Sequence, residues 1–454
     1  RHLFSYFLNQ YIKDIIKISW PIIISQLGMV LTGFFDTIMV GDLGHQQLAA
    51  AGVCNSIFFF VAIFPMGVTM AFSTIVGILQ GKNKTSSYHI LARDSFIVTL
   101  ALSALGGLGL WYCISHFYLF QQADIVSALS IPYLTLVAWS LMPMLIFFFA
   151  KNLCDGFSFT LGGMVITLLA LVLNVFLNWI FIYGKLGSPA YGLNGAGYAT
   201  IISRIFLAAT MLLVLFKSSK IPITFTSFSK SFLESSRITF YKRIFTLGLP
   251  TGFQYFLEIA AFAGAALLAG TLGSRESAAH NLAITLASLT YMFAGGISAG
   301  SSICVAKAYG NGNYTNVRNY GLQGHKIGLL VMLVFALIFL AFSTPLASLF
   351  TTDSEVILMG ANLLILAAIF QLGDGLQAVS VGLLRGIEDT VLPSFLIFIA
   401  YWVIAIPAGY YLSYSKNVPV IFQSVNGIWI GLSLGLTISA IALTYRFYYL
   451  LRSK

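Results

Sequence analysis

The chain has 454 residues, of which 58% are hydrophobic and only 8% charged. A soluble domain carries roughly 25% charged residues, so these charges cannot cover a water-facing surface and lipid must be part of the solvent. The net charge is +10, but the Lys and Arg lie between apolar runs, which reads as loop anchoring at a membrane and not as a nucleic-acid surface.

A helix needs about 20 apolar residues to cross the hydrocarbon core. On that ruler twelve spans are predicted, near 16–40, 48–80, 94–115, 126–150, 160–184, 192–216, 246–270, 278–307, 324–346, 356–384, 391–413 and 425–448. The longer runs predict helices that tilt or protrude. Strands of a membrane barrel would read as alternating segments of about ten residues. These runs are continuous, so the expected class is all-α integral membrane. The polar and aromatic segment from Arg1 to Asp14 does not read as a cleavable signal peptide.

The basic residues alternate along the chain. Arg1, Lys13 and Lys17 precede the first span. Lys82, Lys84, Arg93, Lys151, Lys217, Lys220, Lys230, Arg237, Lys242, Arg243, Lys307, Arg318, Lys326 and Arg385 fall on even-numbered loops, and Arg446, Arg452 and Lys454 at the end. Odd-numbered loops carry only Lys185, Arg275 and Lys416, so the division is 20 against 3, with Arg204 left inside a span. The positive-inside rule then places both termini on the cytoplasmic side, and a cell inner (plasma) membrane is the expected location.

The segment from Lys217 to Arg243 is the longest polar break. It divides the chain into an N-terminal six-helix lobe (1–216), a cytoplasmic linker (217–243) and a C-terminal six-helix lobe (244–454). An ungapped shift of 229 residues supports the division: Pro21 falls on Pro250, Gly41 on Gly270, Gly44 on Gly273, Gly67 on Gly296 and Gly81 on Gly310. Matching glycines are informative because turns and close helix packing depend on them. Six spans per half is an even number, so the halves are expected to share one orientation. A pseudo-two-fold axis along the membrane normal would relate them, with a binding site at their interface.

Three acids lie inside apolar runs. They are Asp36 in Phe34-Phe-Asp36-Thr-Ile, Glu258 in Gln254-Tyr-Phe-Leu-Glu258-Ile, and Asp374 in Gln371-Leu-Gly-Asp374-Gly-Leu-Gln377. An ionised side chain at the membrane centre costs on the order of 2.5–3.5 kcal/mol on insertion scales. Carboxyls kept at that cost suit the exchange of protons, metal cations and organic cations. The bland alternative is a structural acid paired to a base, and Arg204 is the one basic residue deep in a span. The acids also break the repeat, since Asp36 falls on Ala265 and Glu258 on Met29.

Asn174 and Asn178 share a face of the fifth span. With Asp36 they form either a polar binding patch or interhelical hydrogen-bond glue. Tyr291 on the eighth span offers a ring face to a cation, or is an interfacial aromatic. No nucleotide-binding motif is present: Gly77-Ile-Leu-Gln-Gly81-Lys82 has the wrong spacing for a phosphate loop. The six His and four Cys are dispersed without metal-ligand spacing.

In order along the chain, Phe34-Phe-Asp36-Thr-Ile-Met-Val-Gly-Asp-Leu-Gly44, Gly192-Leu-Asn-Gly-Ala-Gly-Tyr-Ala-Thr200, Leu384-Arg-Gly-Ile-Glu-Asp-Thr390 and Asn426-Gly-Ile-Trp-Ile-Gly431 resemble the multidrug and toxic compound extrusion (MATE) transporters, and among them the bacterial NorM branch. The resemblance implies a V-shaped pair of lobes and export of organic cations driven by Na⁺ or H⁺ entry. By the same resemblance Glu258 and Asp374 form the second-lobe cation site and the tentative Na⁺ ligands. Tyr291 is the aromatic beside them, and Asp36, Asn174 and Asn178 are the first-lobe polar cluster. Phe370 stands where some relatives have a Tyr that helps bind the cation, which favours H⁺ over Na⁺.

The expected function is secondary active efflux of drugs and dyes by alternating access, with no enzymatic activity. The coupling ion is Na⁺ or H⁺ and there is no other cofactor. The expected partners are small organic cations and membrane lipid, with no nucleic acid, and the chain is expected to be a monomer. The alternatives are a lipid-linked oligosaccharide flippase, which would want a basic cavity, and an integral membrane transferase, for which Asp155, Glu388 and Asp389 lie near the cytoplasmic face without a His.

Overall fold

The computed structural model describes residues 2–233, 239–415 and 417–452, with side chains from residue 10 onward. Arg1, Arg237, Lys416 and Lys454, used in the charge alternation, lie outside the described residues. Among the described residues every regular element is helical.

Among the described residues twelve helices are long and apolar enough to cross a membrane. They are α1 (Gln10–Gly41), α2 (His45–Gly81), α3 (Thr85–Ser115), α4 (Asp124–Gly156), α5 (Leu161–Tyr183), α6 (Leu193–Lys217), α7 (Tyr241–Leu272), α8 (Ser274–Gly310), α9 (Tyr314–Ser348), α10 (Ser354–Gly386), α11 (Val391–Tyr414) and α12 (Val425–Leu450). All twelve expected spans are present, and most helices outrun their apolar stretch by a turn or more. Large apolar side chains stay uncovered along them: Leu105, Leu108 and Trp111 on α3 are 65%, 61% and 65% exposed. Such a stripe is stable only against lipid.

By contact the chain falls into two compact units, one of Arg1–Ile23 with Phe253–Lys454 and one of Ile24–Gly252. This grouping differs from the sequence halves at two places. The chain changes unit inside α1, after Ile23, and inside α7, after Gly252. The two positions correspond in the 229-residue repeat, and glycines explain both. In one unit a Cβ on Gly67 of α2 would lie 2.8 Å from the Gly252 Cα. In the other, a Cβ on Gly296 of α8 would lie 3.2 Å from the Ile23 backbone nitrogen. Gly67 and Gly296 are repeat mates, as are Gly252 and Ile23. Each glycine lets the first turns of α7 or α1 press against a helix that a side chain would hold away. The described residues of 217–243 also join the Ile24–Gly252 unit, where Arg93 on α3 donates to the Ser231 carbonyl at 2.8 Å and Asp94 accepts from the Phe240 backbone N–H at 2.7 Å.

Three helices are interrupted for stated reasons. Two helical segments of α4 meet at Ser140, whose hydroxyl accepts from Arg204 at 2.6 Å. Helix α9 kinks at Phe342, three residues before Pro345, because proline cannot donate to the carbonyl four residues back and clashes with it. In α11 the turn widens to a π-helix over Ile399–Ala405, just before Pro407 near the start of the final segment. In the unit holding Phe253–Lys454, α10 packs against α8, α9 and α12, so its polar side chains are enclosed on several sides.

Candidate functional site

Helix α10 carries Asp374 and, three residues on, Gln377; a spacing of three puts both on one face. Asp374 is 4% exposed and Glu258 on α7 is 6% exposed. Gln377 Nε2 donates to Glu258 Oε1 at 3.0 Å, and the Tyr401 hydroxyl donates to the same oxygen at 3.3 Å. Tyr401 is delivered by the π-helical turn of α11 and is fully buried. Wide turns of this kind re-aim a side chain and recur at functional sites. The amide oxygen of Gln377 is occupied by the Ser439 hydroxyl of α12. One amide therefore links α7, α10 and α12.

Asp374 lies within electrostatic range of Glu258. The Tyr291 hydroxyl is in range of both carboxyls and of Tyr401, while its ring packs beside Ala294, Met332 and Ala378. Phe370, one turn before Asp374, packs its ring 6.1 Å from Phe262 and 5.5 Å from Trp429. Its edge closes an apolar wall and offers no oxygen. Among the described residues no Lys or Arg forms an ion pair with Glu258 or Asp374.

The other unit holds the second cluster. Asn178 Nδ2 donates to Asp36 Oδ1 at 2.5 Å and to Asn174 Oδ1 at 3.2 Å. Both asparagines are buried, and Asn174 Nδ2 and Asn178 Oδ1 keep unused hydrogen-bonding capacity. Such buried polar atoms invite a water or a ligand group. Arg204 lies within electrostatic range of Asp36 without forming an ion pair with it; its guanidinium donates to Ser140 and stacks 4.4 Å from the Phe58 ring centroid.

Sequence reasoning had singled out Glu258, Asp374, Tyr291, Asp36, Asn174 and Asn178. The structure brings the first three together in one unit and the last three together in the other. It adds Gln377, Tyr401 and Ser439. Gln377 carried a signal, being a polar residue on the Asp374 face of an apolar helix. Tyr401 and Ser439 carried none, because their spans contain other hydroxyls and only the fold selects among them. The acids near the ends of α4 and α10 are paired structurally, Asp155 with Lys151 at 2.5 Å and Asp389 with Arg446 at 2.5 Å. Among the described residues no group of three or more His, Cys, Asp or Glu side chains is placed to hold a metal ion.

Known proteins are similar to this chain over nearly its whole length. The chain is 33% identical to the probable multidrug resistance protein NorM of Pasteurella multocida, over 96% of this chain and 93% of that protein. It is 32% identical to the multidrug resistance protein NorM of Aliivibrio fischeri, over 98% of this chain and 97% of the relative. A transporter of the MOP superfamily from Pyrococcus furiosus has the same fold at 22% identity, with a TM-score of 0.88 over 98% of this chain and 96% of that one. So does the eukaryotic MATE transporter AtDTX14, at 20% identity and a TM-score of 0.84 over 98% of each chain. The MatE family model matches twice, over residues 21–180 and 250–411, and the two starts stand 229 residues apart, as Pro21 and Pro250 do. With each half of the repeat matched separately and close relatives spanning nearly every residue, the chain belongs to the MatE family.

Proposed function

We propose that the protein exports small organic cations across the cell inner membrane by exchanging them for H⁺ or Na⁺ that enters at Glu258 and Asp374. Family membership makes it a membrane transporter and not an enzyme, and the relatives are named for multidrug resistance. The observation that carries the exchange is the burial of two carboxyls with no basic partner among the described residues. Uncompensated negative charge is costly in a low-dielectric interior. A proton, a metal cation or a cationic drug each removes that cost, so each competes for the same charge. Competition for one site, or for the state that exposes it, is what couples two fluxes.

The surroundings favour the proton. Glu258 is met by the N–H side of the Gln377 amide, whose oxygen is taken by Ser439, and Phe370 supplies no oxygen. In the exchange cycle the Asp36, Asn178 and Asn174 cluster takes part in binding the organic cation. Two lobes related by an axis along the membrane normal, with both termini in the cytoplasm, would alternate access to these groups. The membrane potential contributes about 2.3 kcal/mol per charge per 100 mV. A flippase for lipid-linked sugars would want basic groups at its centre. Arg204, the basic residue deep in a span, is instead held by Ser140 and Phe58.

The test is ethidium efflux from proteoliposomes under an imposed pH gradient or an imposed Na⁺ gradient, for the wild type and Glu258→Gln. Efflux driven by the pH gradient and lost in Glu258→Gln is expected. Efflux driven by Na⁺ at clamped pH would assign the metal to these carboxyls. Efflux undiminished in Glu258→Gln would remove them from the exchange.

A further inference from the structure

Outside the carboxyl cluster, one buried titratable ring has both of its nitrogens engaged by hydroxyls. His325 on α9 is 7% exposed. Its Nε2 lies 2.8 Å from Ser380 Oγ on α10, and its Nδ1 lies 3.1 Å from the Tyr448 hydroxyl on α12. Ser380 Oγ is also 2.9 Å from Thr444 Oγ1 on α12.

The placement of these groups is what matters. Asp374, Gln377 and Ser380 follow one another at intervals of three and share a face of α10. At the inner level Gln377 meets Ser439 of α12 and holds Glu258. At the next level Ser380 meets Thr444 of α12 and holds His325. The two levels are separated by roughly 4.5 Å of helix rise. At the far end Tyr448 is half-buried and sits two residues before the end of α12. The groups around the ring are the Gly321 carbonyl one turn back on α9, Ser380 of α10, Tyr448 and Phe447 of α12, and Ser301 of α8, which lies against the neighbouring Gly324, while Arg318 of α9 lies within electrostatic range of Tyr448. Of the groups around the ring itself, Tyr448 is the titratable one and none is charged.

We propose that His325, acting with Ser380 and Tyr448, relays protons between the Glu258–Asp374 carboxyls and the aqueous face at the Arg446–Arg452 end of α12. The proposal rests on the proton-exchange reading above, in which that end is cytoplasmic. In the step, a proton leaving the carboxyl pair is carried by a bridging water to Ser380 Oγ, whose own proton passes to His325 Nε2. The imidazolium then gives its Nδ1 proton through the Tyr448 hydroxyl to water. One proton moves, no heavy-atom bond changes, and the ring ends neutral in its other tautomer. Imidazole can take up a proton at one ring nitrogen and release another from the second, which an amide of similar size cannot.

The experiment compares wild type, His325→Gln, Ser380→Ala and Glu258→Gln in proteoliposomes. Two modes are read: pH-gradient-driven ethidium efflux, and ethidium exchange across the membrane with no gradient, which needs no net proton release. His325→Gln and Ser380→Ala are expected to lose roughly tenfold or more of the driven rate while exchange and ethidium affinity persist. Should His325→Gln fail to fold, Ser380→Ala carries the test, since it removes the same link with a smaller change. Equal loss of both modes would overturn the relay in favour of a packing role. Driven efflux at the wild-type rate in both variants, with Glu258→Gln inactive, would overturn the relay alone. A wild type indifferent to the pH gradient would overturn the proton reading beneath it and the relay with it.

Discussion

Gln377 donates to Glu258 across 3.0 Å while its own amide oxygen accepts from Ser439. Both ends of one side chain are thus committed, and the carboxyl of α7 is fixed against α10 and α12. Replacement by Leu of similar volume leaves the buried carboxyl short of a donor, with Tyr401 remaining, while the Ser439 hydroxyl keeps the Leu436 carbonyl as its acceptor. Leaving such a group unsatisfied costs about 1–3 kcal/mol. Gln377→Leu should melt earlier in detergent and export ethidium more slowly per folded molecule. A variant that melts and transports like the wild type would show that Glu258 does not depend on this amide.

The Asp36 cluster predicts an unequal pair of variants. Asn178 donates to Asp36 at 2.5 Å, and Asn174 is a weaker partner of the same carboxyl. Asn178→Leu should therefore reduce efflux more than Asn174→Leu, because it strips Asp36 of its stronger amide donor. Ethidium efflux at matched reconstitution density checks the order, and a reversed order would reassign the direct contact.

Two glycines separate packing from propensity. A Cβ on Gly67 would stand 2.8 Å from the Gly252 Cα, whereas a Cβ on Gly33 meets nothing within 4 Å. Gly67→Ala should destabilise by about 1–3 kcal/mol through overpacking. Gly33→Ala should be neutral or slightly stabilising, since Ala is a better helix former than Gly by about 1 kcal/mol. Thermal melting of the two variants in one detergent decides it, and equal melting temperatures would contradict the close approach.

Asp353 gives a pH dependence outside the spans. It caps α10, accepting from the backbone N–H groups of Glu355 at 2.9 Å and Val356 at 3.3 Å. These backbone bonds, first that of Val356 and then that of Glu355, hold its carboxyl below the ordinary aspartate value, and Arg275 adds to the effect. A carboxyl whose folded pKa is depressed stabilises the fold above its unfolded pKa, and loses that contribution as pH falls through the folded value. The melting difference between wild type and Asp353→Ala should be full at neutral pH and shrink below the ordinary carboxylate range. A difference that does not change with pH would assign the cap to geometry alone.

Most of the fold was legible because a bilayer imposes length and apolarity on every span. The run around Glu258 is helical for the same reason that it is hydrophobic: backbone groups in lipid must bond within their own segment. The repeat was legible where glycines recur, as at Gly67 and Gly296. The three membrane acids stood out because carboxylates are costly there. Partners were harder to read. Tyr401 reaches Glu258 only because Pro407 and the widened turn before it re-aim one residue of α11, and the sequence of that helix does not mark which residue turns. Arg204 was the obvious mate for an acid, yet it binds a hydroxyl and a ring.

The sequence by itself determined the twelve spans, the repeat and the identity of the acids, since each follows from local composition weighed against the membrane. Only the tertiary structure decided that α1 and α7 change unit at Ile23 and Gly252. Only it decided that Glu258 is held by Gln377 and Tyr401, and that His325 meets Ser380 and Tyr448. Those outcomes depend on how closely separate helices approach, and that distance is set by side chains far apart in the chain.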